Sequence, residues 1–217
     1  MIDIVILTAA AVLLGGLLYF EKRESTRGRV LTKPLLSALF VAVALTGPRT
    51  ETGYFGWVLA GLLFCMAGDI FLIFSSSPRL FLAGLVSFLT GHILYAAAFF
   101  LASGPGMLTW IAGACTLAAS GAIFIWLRPH LGRMLVPVGA YVAVISVMVI
   151  GASSVMGERT ADLSGRALVF LGAVLFYVSD IFVARQQFVA GQYLNRLLGL
   201  PLYYAAQFMI AFSIRFL

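Results

Sequence analysis

Apolar runs long enough to cross a bilayer follow one another along almost the whole chain, and they decide which solvent the fold is built for. Eight are readable, at approximately 4–20, 31–47, 54–75, 80–102, 107–127, 131–152, 165–184 and 197–216. A hydrocarbon core of ~30 Å needs about 20 such residues in a helix. Backbone groups must satisfy one another there, which leaves the helix as the spanning form for runs of this kind. Only 10% of the 217 residues are charged, against about 25% in soluble domains, and the mean hydropathy is +1.07. The expectation is an all-α polytopic membrane bundle of eight transmembrane helices, one domain over 1–217, with little chain left for a soluble module. The second run has Lys33 and Pro34 at its start, a flaw that suits a helix entrance. The first has Asp3 before it and its basic cluster after it, so it reads as a retained span and not a secretory signal. Cys65 and Cys115 both fall inside spans and read as small packing residues.

The net charge of +6 is unevenly spread. The linker EKRESTRGRV with its neighbour contributes Lys22, Arg23, Arg27, Arg29 and Lys33, and alternate linkers add Arg79, Arg128, Arg133, Arg185 and Arg196. The opposite set holds only Arg49, Arg159, Arg166 and Arg215. Cytoplasmic loops are the Lys- and Arg-rich ones, which predicts both termini outside, in agreement with an even number of spans. The basic linker reads either as a topology signal or as a surface for anionic membrane lipids. Nucleic acid is not an expected partner, since no basic soluble module exists to hold it. Trp57, Trp110 and Trp126 lie near span ends, where interfacial anchoring accounts for them.

Two of the runs contain an acid in matching surroundings, AGDIFLIF at 67–74 and VSDIFVAR at 178–185. Superposing Asp69 on Asp180 lays the third run on the seventh. The runs that follow, LTGHILYAAAFF and LGLPLYYAAQFM, then share a Tyr-Ala-Ala core, with Asp69 to Tyr95 spanning 26 residues and Asp180 to Tyr204 spanning 24. This predicts two parallel four-helix repeats, 1–104 and 105–217, related by an axis along the membrane normal. Both acids fall near the cytoplasmic ends of their helices and are expected to face one cavity opening that way.

Ionisable groups inside a membrane are costly and mark functional sites by default; the alternative is a purely structural hydrogen-bonding role. Tyr177 precedes Asp180 by three residues, His92 and Tyr95 are three apart, and Tyr203 and Gln207 are four apart, spacings that share a helical face. With Tyr204 they are expected to line one polar pocket. His92 is open between a structural hydrogen bond and a catalytic or substrate contact, and the tyrosines between packing and site. Lys33 is open between snorkelling at the interface and holding a phosphate. His92 has no partner at ligand spacing, and His130 reads as a loop residue beside Pro129, so no metal site is expected. The serines at 75–77 carry no nucleophile motif. Read from these residues alone, an enzyme and a small-molecule or proton-coupled transporter stand level, with a non-catalytic scaffold as a third reading.

The ordered set KPLL (33–36), Gly68-Asp69, GHILY (91–95), Ser179-Asp180 and YYAAQ (203–207) resembles the YhhN family of bacterial membrane proteins, which includes the animal lysoplasmalogenases. That resemblance implies an eight-span hydrolase of the bacterial inner membrane that cleaves the vinyl ether bond of a lysophospholipid substrate, the lysoplasmalogens. The implied products are a fatty aldehyde and glycerophosphoethanolamine or glycerophosphocholine. It matches Asp69 and Asp180 to the catalytic acids, and Lys33, His92, Tyr95, Tyr203 and Gln207 to the other recurrent polar positions. The chemistry asks for a proton on the vinyl β-carbon, an anion beside the resulting oxocarbenium ion, and water. Two carboxyl groups in unlike surroundings meet that demand without a cofactor, and the sequence leaves open which acid takes which part. The phosphate headgroup is expected near Lys33 or Arg79, and the alkyl chain between helices.

Overall fold

Helices follow the apolar runs, but polar residues set where they begin and end. The computed structural model describes residues 1–47 and 52–217, so Arg49 of the outside charge set lies beyond the described residues. The helices are α1 (Ile2–Lys22), α2 (Thr26–Thr46), α3 (Thr52–Leu72), α4 (Pro78–Ala102), α5 (Met107–Leu131), α6 (Leu135–Gly157), α7 (Leu163–Ala184) and α8 (Tyr193–Ser213), with no strand among the described residues. A 3-10 turn, Gly132–Met134, joins α5 to α6, and a π-helical turn, Arg185–Val189, extends α7.

Two expected boundaries move. Ser25 accepts a hydrogen bond from the Gly28 amide at 3.3 Å and so starts α2 at Thr26, the usual work of a serine N-cap. Pro34 therefore lies inside α2 and not in its first turn, and Lys33 is buried well within the helix instead of marking an interface. Likewise α5 runs on through Pro129, which places His130 in its last turn and not in a loop.

The expectation of eight spans meets a narrower count. Among the described residues six helical stretches are long and apolar enough to cross a membrane: α1, α2, residues 53–72 of α3, α4, the continuous stretch Met107–Gly157 that holds α5 and α6, and Leu163–Val189. They comprise seven of the helices; α8, which carries Asn195, Arg196, Pro201 and Gln207, is not among them.

Packing arranges six helices as a ring. Going round, α2 contacts α3, α3 contacts α4, α4 contacts α6, α6 contacts α7, α7 contacts α8, and α8 returns to α2. The other two flank it: α1 lies against α2 and α8, whereas α5 lies against α6 and, among the described residues, makes no comparable contact with α4. Small residues permit the closest approaches, as they do where neighbouring helices share a lipid solvent. A Cβ on Gly91 of α4 would stand 2.7 Å from Cys65 Sγ and 3.1 Å from the Gly61 carbonyl of α3. One on Gly172 of α7 would stand 3.2 Å from the Ala206 carbonyl of α8. These contacts seat α4 on α3 and α8 on α7, each pairing an acid-bearing helix with its successor. Trp57, Trp110 and Trp126 are exposed on the outer surface.

Candidate active site

Each helix of the ring turns at least one polar or aromatic side chain inward. Lys33 of α2, Asp69 of α3, Phe88 of α4, Tyr141 of α6, Asp180 of α7 and Tyr203 of α8 all line one cavity of about 120 Å³. A water needs roughly 10–15 Å³ of such space, so several fit. Toward α4, α5 and α6 the lining is largely apolar, with Phe81 and Leu85 of α4, Ile123 and Leu127 of α5, and Val138 and Val142 of α6. The cavity thus continues into the gap that α5 leaves beside α4.

The two carboxyl groups sit in unlike company. Asp69 is 1% exposed. Its Oδ1 pairs with Lys33 Nζ at 3.0 Å, and its Oδ2 accepts from Ser37 Oγ and Tyr203 OH, each at 2.6 Å. Burying a carboxylate is costly unless it is paired and hydrogen-bonded, and here one ammonium and two hydroxyls do both. Behind Tyr203 the chain of bonds continues: Gln207 Nε2 donates to Tyr203 OH at 3.1 Å, and Tyr95 OH donates to Gln207 Oε1 at 2.7 Å. Tyr204 OH lies 3.4 Å from Ser37 Oγ, a looser contact on the same cluster.

Asp180 has fewer partners and more access, with 16% of its side chain exposed against 2% for Asp69. Tyr141 OH donates to its Oδ2 at 2.6 Å. His92 Nε2 stands 3.9 Å from the same oxygen, beyond hydrogen-bond reach. Among the described residues no Lys or Arg pairs with Asp180. His92 is fully buried, wedged edge-on between the Tyr141 ring at 5.2 Å and the Phe176 ring at 4.5 Å, and among the described residues neither of its nitrogens has a hydrogen-bond partner. An orphaned pair of buried ring nitrogens is rare enough to ask for a reason, and one of them faces the Asp180 carboxyl.

Of the residues expected to form a pocket, Lys33, Asp69, Tyr177, Asp180 and Tyr203 line the cavity. Tyr177 turns its hydroxyl to Ser120 Oγ at 2.8 Å, which in turn meets Ser146 Oγ at 2.6 Å. The remaining four, His92, Tyr95, Tyr204 and Gln207, are not among the lining residues; they stand behind the wall and brace it. Two contributors escaped the sequence reading. Ser37 follows Lys33 by four residues, a spacing that puts both on one helical face, so the signal was present in KPLLS. Tyr141 sits alone in an apolar stretch, GAYVAV, and gave none.

The arrangement supplies a carboxylate whose charge is compensated, a second carboxyl with one hydroxyl donor and room beside it, and space for water and an apolar chain. The chain is 34% identical over 160 residues to the bovine protein named lysoplasmalogenase TMEM86A, covering 72% of this chain and 64% of that one. It is 35% identical over 164 residues to the rat lysoplasmalogenase TMEM86B, covering 74% and 63%. A Mycobacterium tuberculosis protein named lysoplasmalogenase is 28% identical over 190 residues, covering 82% and 67%. The chain thus spans a little under two thirds of the length of the mammalian relatives. No solved structure matches. With six span-capable stretches and these relatives, it is an integral membrane protein. The model of the YhhN family matches residues 28–214, a stretch that takes in both carboxyl groups and every side chain holding them, and this chain belongs to that family.

Proposed function

We propose that this protein hydrolyses the vinyl ether bond of a lysoplasmalogen, releasing a fatty aldehyde and a glycerophosphodiester. The observation that carries the reading is the pair of unlike carboxyl groups on one cavity, Asp69 with a cation and Asp180 without one. Asp180, in its protonated form, gives its proton to the vinyl β-carbon, and the positive charge passes to the α-carbon and ether oxygen. Asp69 stabilises that oxocarbenium ion, as a carboxylate does in glycoside cleavage. Water adds to the α-carbon and returns a proton to Asp180. The hemiacetal then breaks its bond to the glycerol oxygen, which takes up a proton as the hemiacetal hydroxyl gives one, so the cycle closes with one water consumed and no net proton. Tyr141 keeps Asp180 oriented through each transfer. The alkyl chain lies in the apolar extension between α4, α5 and α6.

The proposal includes eight spans, with α8 crossing because it closes the ring between α7 and α2. It also includes two parallel repeats. Three small or acidic positions recur at one offset: Gly61 and Gly172, Gly68 and Ser179, Asp69 and Asp180 are each 111 residues apart. Most of the helix contacts recur likewise: α1 on α2 matches α5 on α6, α2 on α3 matches α6 on α7, α3 on α4 matches α7 on α8, and α8 on α2 matches α4 on α6. Each acid then faces equivalent helices: Asp69 is bonded from α2 and α8, whereas Asp180 is bonded from α6 and faces His92 of α4 across 3.9 Å. With the basic linkers cytoplasmic, the termini lie outside a bacterial inner membrane and the acids lie toward the cytoplasmic side.

The test is aldehyde release from lysoplasmalogen by purified protein, with Asp69→Asn and Asp180→Asn as variants. Loss of general acid catalysis costs roughly 10²–10⁴ in rate, which is the expected fall for Asp180→Asn. Full activity in both variants overturns the mechanism. Substrate-dependent proton flux into liposomes without aldehyde places the protein among transporters instead.

A further inference from the structure

Among the described residues two cations line the cavity, Lys33 and Arg196, and they are committed unequally. Lys33 is held by Asp69 at 3.0 Å. Arg196, in the first turn of α8, lies 3.7 Å from Glu21 Oε1 and has 24% of its side chain exposed. Glu21 is itself divided, since Arg29 of α2 approaches its other oxygen at 3.8 Å. One carboxylate between two guanidinium groups leaves positive charge over at this end of the cavity.

The surroundings of Arg196 are polar and braced. Ser75 just past α3, Gln186 and Gln187 of the π-helical turn, and Asn195 all line the same end. Asn195 is buried and ties the turn to α8: its Nδ2 donates to Gln186 Oε1 at 2.9 Å and to the Ala190 carbonyl at 2.7 Å, and its Oδ1 accepts from Arg185. Arg185 and Gln186 are thereby occupied. Gln187 is exposed at the rim, and its side chain makes no hydrogen bond among the described residues. Turns of this π type gather at functional sites. Arg79, considered from the sequence as a phosphate contact, is exposed and does not line the cavity.

We infer that this rim is an oxyanion subsite in which Arg196 and Gln187 take the phosphodiester of the substrate. The inference rests on the hydrolase reading and names which end of the substrate the protein recognises by charge. Spacing agrees with it. Arg196 precedes Tyr203, which touches Asp69, by seven residues, or about 10 Å along α8 at ~1.5 Å per residue. Six bonds separate the α-carbon, where Asp69 meets the oxocarbenium charge, from the phosphorus, roughly 7–8 Å when extended with bonds of ~1.5 Å, and the arginine side chain bridges the difference. A planar guanidinium is also the better partner for two phosphate oxygens at once.

The experiment uses a lipid that cannot react. A saturated 1-alkyl-glycerophosphoethanolamine and the matching 1-alkylglycerol are titrated calorimetrically into the full-length protein in detergent, with inorganic phosphate as a third probe. Charge-assisted hydrogen bonds make the expected preference for the phosphorylated lipid about 10- to 100-fold in the wild type, falling to about threefold or less in Arg196→Gln and partly retained in Arg196→Lys. A preference that survives Arg196→Gln overturns the assignment, and so does an equal loss for both lipids. Binding of inorganic phosphate as tight as that of the lysophospholipid, with the same dependence on Arg196, overturns the lipid source in favour of a free anion. Absence of aldehyde from a true lysoplasmalogen refutes the hydrolase reading alone, because the saturated probe does not report on the chemistry.

Discussion

Replacing Lys33 by methionine removes the one ammonium in contact with Asp69 and keeps the side chain's volume close to that of lysine. The pair is deeply buried, with 5% of the lysine and 2% of the aspartate side chain exposed. Breaking such a pair from one side costs ~3–5 kcal/mol, because the surviving charge stays buried without its partner. Here Ser37 and Tyr203 still serve Oδ2, so the lower end applies, about 3 kcal/mol. For a chain of this size that corresponds to roughly 6–12 °C in Tm. Asp69→Asn alone strands the ammonium in the same way. The double variant Lys33→Met with Asp69→Asn leaves no stranded charge, and its cost falls below that of either single change, a coupling of about 2 kcal/mol or more. Reversible unfolding in mixed detergent micelles, titrated with SDS, reads all four corners of the cycle. If Lys33→Met lies within about 1 kcal/mol of the wild type, or if the two single costs simply add, the buried pair is not what holds α2 to α3.

Tyr141→Phe removes the hydroxyl donor to Asp180 and is expected to lower kcat by about 10- to 100-fold, the worth of a hydrogen bond to a charged group, with KM near the wild-type value in the aldehyde assay. Gly61→Ala puts a methyl 2.4 Å from the Tyr95 ring and Gly172→Ala puts one 3.2 Å from the Ala206 carbonyl; each is expected to lose ~1–3 kcal/mol by overpacking. Gly113→Ala, whose methyl would meet nothing nearer than 3.9 Å, serves as the neutral control and gains up to ~1 kcal/mol from helix propensity. EDTA is expected to leave the rate unchanged, since among the described residues no three His, Cys, Asp or Glu side chains converge as ligands.

What was legible in the sequence is what one helix decides by itself. Runs of bilayer length located the helices, and AGDIFLIF with VSDIFVAR located the acids, because an acid within an apolar run stands out locally. The ends of α2 and α5 were misjudged because proline was given more authority than the cap at Ser25 or the continuity through Pro129. Lys33 looked like an interfacial residue for the same reason. The partner of Asp180 was invisible: Tyr141 meets it across 39 residues, and nothing in GAYVAV distinguishes a tyrosine that bonds from one that only packs. Arg196 was counted for its charge and not its position, since only the fold brings the start of α8 beside the π-helical turn.

Of the two flanking helices, among the described residues, α1 rests on α8 while α5 makes no comparable contact with α4. If the proposed repeats hold, the two halves differ on this side, where Phe188 of the π-helical turn packs edge-on against Phe81 of α4. On the proposed hydrolase reading, substrate would enter sideways, from within the bilayer, past Phe81, Leu85, Ile123 and Leu127 of the cavity lining. The cleaved aldehyde would then stay in lipid while the water-soluble glycerophosphodiester departed past Arg196. Separate exits for an oily product and a polar one keep the two halves of a cut molecule from obstructing each other's release.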